Sequence, residues 1–101
     1  MKIKTSELTG AALDWMVCVC EGESPSRYTR YSTDWAQGGP IIEEQEICIN
    51  SQPLLAHPWV ATIYGSAQAS GSSPLIAAMR CYVASRLGDE VDVPDELLEV
   101  A

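Results

Sequence analysis

A chain of 101 residues and 10.9 kDa, 47% of it hydrophobic, has room for one core and not for two domains. Fourteen acids against six Lys and Arg set a formal charge of −8. Such a balance disfavours duplex nucleic acid as a partner, because that binding relies on basic side chains displacing phosphate counterions.

The acid is uneven. Residues 89–101 carry Asp89, Glu90, Asp92, Asp95, Glu96 and Glu99 with no base, whereas residues 1–88 hold eight acids and all six bases. The sequence therefore reads as a nearly neutral domain, 1–88, with an acidic C-terminal tail, 89–101. No stretch approaches the roughly 20 apolar residues of a membrane span, and Glu7 and Asp14 interrupt any signal-peptide pattern. Cys18, Cys20, Cys48 and Cys81 have neither metal-site nor redox spacing, so they read as reduced thiols of a cytosolic protein. No metal or cofactor is implied.

Leu8, Ala11, Ala12, Trp15, Met16 and Val19 recur at helical spacing, predicting a helix from Ser6 to a Gly22 cap, with Gly10 as an alternative start. A loop over 22–32 follows, holding Arg27, Tyr28, Arg30 and Tyr31. Ser32 or Thr33 then caps a short helix whose first turn carries Asp34. Gly38-Gly39-Pro40 predicts a break there, with a second short helix starting at Pro40.

Alternation over Gln45–Asn50 and Trp59–Tyr64 predicts two strands joined through a loop containing Pro53 and Pro58. Ser66–Ser73 is small and polar and reads as a loop. The last helix is capped by Ser73, takes Pro74 at its first position and closes at Gly88. Its apolar face is Leu75, Ile76, Met79, Tyr82, Val83 and Leu87, with Arg80 and Arg86 off it. The order predicts an α+β fold: a small antiparallel sheet packed with two main helices plus a short helix. Two strands alone are marginal, so either Met1–Lys4 adds a third or a second copy completes the sheet as a homo-oligomer.

No catalytic set emerges. His57 has no acid placed to orient it, Glu43, Glu44 and Glu46 form a solvated charged run, and Gly38-Gly39 lacks the rest of a phosphate loop. An acid–base pair of Glu43 with His57 has nothing to bring it together. Aromatic stacking beside a cation is the better pattern. Trp15 falls on the first helix stripe and reads as core. The candidate ligand-binding residues are Arg30, Tyr31, Asp34, Trp35, Gln37, Gly38, Trp59 and Arg80. Trp35 or Trp59 would stack on a base, Arg30 or Arg80 would meet phosphate, and Asp34 or Gln37 would read polar edges beside the Gly38 bend. The alternative, from another class, is a protein–protein inhibitor whose acidic tail mimics a nucleic-acid backbone or docks on a basic protein surface.

Three blocks carry a resemblance. Lys2–Trp15 (KIKTSELTGAALDW), Tyr31–Glu43 (YSTDWAQGGPIIE) and Pro74–Ser85 (PLIAAMRCYVAS) are similar, in order, to the NinX-like family of small tailed-phage proteins. Residues 44–73 match less well. More faintly, the chain resembles phage domains built as a helix–sheet–helix sandwich. The resemblance implies a phage accessory protein acting in the host bacterial cytoplasm, and it supplies no catalytic residues. Small phage proteins often bind host components, and several trap nucleotide signals of bacterial defence. By that analogy the expected partner is a small nucleotide-type ligand.

Overall fold

The computed structural model describes residues 2–24, 29–52 and 58–97. Along the chain run β1 (Lys2–Lys4), a 3-10 turn (Thr5–Glu7), α1 (Gly10–Glu21), α2 (Trp35–Glu44), β2 (Cys48–Ser51), β3 (Trp59–Ile63), β4 (Ala67–Gly71), α3 (Pro74–Leu87), β5 (Glu90–Asp92) and a second 3-10 turn (Asp95–Leu97). The fold is α+β. Strands β2, β3 and β4 form an antiparallel meander, and β1 pairs with β5 in a separate two-stranded sheet.

The third strand of the main sheet is β4, which the sequence reads as loop. Its residues are small because α3 lies directly over it. A Cβ at Gly71 would stand 2.7 Å from the Ala77 nitrogen. Register places Ile49, Ala61 and Ala69 side by side, with Trp59 opposite Gly71 and Ile63 opposite Ala67. That apolar face meets Leu75, Ala77, Ala78, Met79, Cys81, Tyr82 and Val83, all buried on α3. As the sequence predicts, α3 is capped by Ser73, whose Oγ accepts from Ile76 N at 3.1 Å, with Pro74 in its first turn. Leu87, predicted on the apolar face, is 40% exposed at the final turn.

Helix α1 starts at Gly10 and ends on Gly22, a left-handed residue at φ 73° that an L side chain would resist. Its buried side is Ala12, Leu13, Met16 and Val17, rotated from the predicted stripe. Trp15 is half-buried and Val19 is 41% exposed. From Ala11 to Val19 the only charge is Asp14, so spacing alone does not distinguish one face. Asp14 itself is buried, for a reason given below.

The predicted break at Gly38-Gly39-Pro40 does not occur, and α2 runs through it. Pro40 has no N–H to give the Ala36 carbonyl, and both residues are exposed, so the acceptor left without a helical donor lies at the solvent side of the helix.

The acidic stretch begins inside the fold. Lys2 pairs with Asp92 and Lys4 with Glu90, while Ile3 faces Val91. Val91 and Val93 join the core. Charge complementarity with two lysines outside and valines inside is what draws this segment in. Thr5 staples it, donating from Oγ1 to the Gly88 carbonyl at 2.6 Å and from its backbone N to the Asp89 carbonyl at 2.7 Å.

Candidate functional site

The candidate residues in the loop before α2 come together as one hydrogen-bonded unit. Asp14 reaches across from α1, and its Oδ1 accepts the Ser32 backbone N–H at 2.8 Å. The Arg30 carbonyl accepts from Thr33 N at 3.1 Å and Asp34 N at 2.8 Å. Asp34 is the true N-cap, its Oδ1 accepting from Ala36 N at 2.9 Å. Gln37 folds back, accepting the Arg30 N–H on Oε1 at 2.9 Å and donating from Nε2 to Asp34 Oδ2 at 3.3 Å. Asp34 and Gln37 thus build the loop with the groups that the sequence reading assigned to a ligand.

Burial pushes the Asp14 carboxyl above its ordinary range, and hydrogen bonding from Ser32 and the charge of Arg30 partly oppose that. Tyr31 is buried under the loop and donates its hydroxyl to the Glu23 carboxylate. Gly38 is buried as well, because a Cβ there would collide with the Tyr31 carbonyl and stand 2.6 Å from Leu75 Cδ1. The glycine serves close packing rather than a bend.

Trp35 is the exception to this inward order, with 54% of its surface exposed. It borders a cavity of about 330 Å³ between the start of α2 and the start of α3, walled also by Ser32, Thr33, Ser73, Leu75 and Ile76. The α3 terminus offers this space few donors. Ile76 N–H goes to Ser73 Oγ, Ala77 N–H goes to the Ser73 carbonyl at 3.0 Å, and Pro74 has none. The cavity suits the face of a flat ring better than an anion. Arg30, exposed in the loop before α2, carries a positive charge.

Trp59 and Arg80 do not line that cavity. Trp59 is half-buried on β3 and packs against the core. Arg80, predicted off the apolar face, is only 5% exposed. It donates from Nε to the Leu8 carbonyl at 2.7 Å and from Nη1 to the Ser70 carbonyl at 2.9 Å. It bridges the edge of β4 to the segment before α1, and burial lowers its pKa from the ordinary value. Arg80, one of two arginines in an alanine-rich helix, carries no sequence mark of this role. Neither does Asp14, nor the cavity walls Leu75 and Ile76, which periodicity assigns simply to core.

Arg27, Tyr28, Pro53 and His57 lie outside the described residues. Burial pushes the Cys20 and Cys81 thiols up to about 11, so at neutral pH they are poor nucleophiles. Among the described residues no group of three His, Cys, Asp or Glu is placed to hold a metal ion, and no helix is long and apolar enough to cross a membrane.

No curated protein matches the chain. The family model described as "Bacteriophage P22, NinX" does, over residues 4–86. That span runs from the end of β1 to the last turn of α3 and contains the whole Asp34–Trp35 unit. The chain is a member of the bacteriophage P22 NinX family.

Proposed function

We propose that this phage-family protein is a non-enzymatic binder, sequestering a small nucleotide-derived signalling molecule in the host bacterial cytoplasm and so blunting host defence. The supporting observation is Trp35: a large indole held out on a rigid helix start, beside a cavity walled by Leu75, Ile76 and Ser32, whose buried hydroxyl has no hydrogen-bond partner among the described residues. A base stacks on the indole, a phosphate meets Arg30, and the chemistry ends there, because capture requires shape and charge but no reacting group. The loop that carries both residues is fixed by Asp14, Asp34 and Gln37, so little ordering is left to offset binding. Assembly is part of the proposal. The outer edge of β2, Cys48-Ile49-Asn50-Ser51, is uncharged and has no partner strand among the described residues, so two copies can pair there.

Thermal melting against cyclic dinucleotides, cyclic ADP-ribose isomers and plain nucleotides tests the reading. A true ligand at about 100 times its Kd adds roughly 2.7 kcal/mol, several degrees for a domain this size. The compound should be recovered unaltered. Trp35→Ala should melt within about 0.5 kcal/mol of wild type, since the side chain is exposed, yet lose the shift. A flat panel removes the reading. The second reading, a protein–protein inhibitor acting through exposed Asp89, Glu90, Asp92 and Asp95, then takes its place. Its test is amide substitution of those carboxylates rather than truncation at 89, because removing Val91 and Val93 opens the core.

A further inference from the structure

Arg80 covers one half of the β4 edge and leaves the other half open. The Ser70 carbonyl turns away from β3, since it accepts the Arg80 guanidinium. Backbone sense repeats every second residue along a strand, so the N–H and C=O of Gln68 face outward too. Among the described residues no strand pairs with them there. Gln68 instead borders a cavity of about 330 Å³, lined also by Lys4, Ser6, Asp89 and Glu90, with Ala69 and Ala84 as its apolar floor. The walls are fixed where they join, because Thr5 ties its own backbone and hydroxyl to Gly88 and Asp89.

We infer that this cavity is a nucleoside site, separate from the Trp35 cavity and independent of the function proposed above. One residue's outward N–H and C=O form a donor–acceptor pair, the complement of the N1 and N6 edge of adenine. The two alanine methyls accept the flat face of a ring. Neighbouring carboxylates suit vicinal ribose hydroxyls, as acidic side chains do in dinucleotide folds. Phosphate is disfavoured, because two carboxylates outnumber the one ammonium and Lys4 already stands opposite Glu90. The volume lies at the lower end of ligand cavities, the scale of a single nucleoside.

Calorimetric titration of adenosine and 2′-deoxyadenosine into the full chain tests this. Adenosine should bind wild type and Trp35→Ala alike, and Ala84→Leu, which fills the floor with another apolar side chain, at least about tenfold more weakly. The deoxynucleoside should bind several-fold more weakly than adenosine, and that gap should close in the Asp89→Ala/Glu90→Ala double variant, which holds even if Ala84→Leu fails to fold. No heat with adenosine at millimolar concentration overturns the inference. So does equal affinity of wild type and Ala84→Leu, or a gap that persists in the double variant. Loss in Trp35→Ala with retention in Ala84→Leu also overturns it, placing adenosine in the other cavity.

Discussion

Helices α2 and α3 both begin on a side-chain cap and both contain one proline, yet they hold it differently. In α3, Pro74 sits in the first turn, where a missing N–H has no helical partner to lose. In α2, Pro40 lies past the middle, and the helix continues because Ala36 and Pro40 face solvent. Proline stops a helix when the orphaned carbonyl is buried, and merely weakens it when water can reach that carbonyl. The same contrast holds for the paired glycines of α2: Gly38 is pressed against Tyr31 and Leu75, whereas the nearest atom to a Cβ on Gly39 is Trp35 Cε3, 4.0 Å away.

The glycine pair gives the sharpest way to break that comparison. Gly38→Ala should destabilise by about 2–3 kcal/mol, lowering Tm by roughly 10–20 °C, while Gly39→Ala should stabilise by about 0.5–1 kcal/mol. Equal melts for the two variants would mean that Gly38 is not in the tight contact. Next in size is Arg80→Met, which strands the Leu8 and Ser70 carbonyls and should cost about 2–3 kcal/mol by urea unfolding. Arg80→Lys should recover only part of that, since one ammonium lacks the planar fork that spans both oxygens.

The prolines come third. Pro40→Ala restores the bond to Ala36 and should gain about 1–2 kcal/mol, whereas Pro74→Ala should lose about 0.4–1 kcal/mol through the unfolded chain. The smallest effect is at Asp14. Its carboxyl is raised by burial, so ionisation costs stability at neutral pH, and that cost fades as pH falls from the raised value to the ordinary range. Asp14→Asn keeps an acceptor for Ser32 N–H and has no such term. Its stability relative to wild type should be highest near neutrality and decline in acid, in melts run across pH.

How far the sequence could be read follows from where burial and periodicity agree. The cap, the proline and most of the face of α3 are all local signals, as are the alternating residues of β3 and the glycine after α1. Strand β4 was hidden because Ala67, Ala69 and Gly71 are small on account of a helix that arrives later in the chain. Strand β5 was hidden because its acids look solvated until Lys2 and Lys4 lie opposite them. In the candidate site, the Asp34–Trp35 unit stood out by composition, while the separation of Arg80 and Trp59 from its cavity depended on tertiary contacts. Local chemistry is written in neighbouring residues, and the commitments of long side chains are not.

The pairing of β1 with β5 has a consequence for how the molecule is made. Thr5 and Gly88 are 83 residues apart in sequence, and closing so long a loop is slow as well as entropically costly. During synthesis the first strand has no partner until Glu90–Asp92 have emerged, so Ile3 and Leu8 must wait exposed for Val91 and Arg80. A chain cut short just after Gly88 would hold α1, α2, α3 and the main sheet, yet lack the clasp that shuts the core.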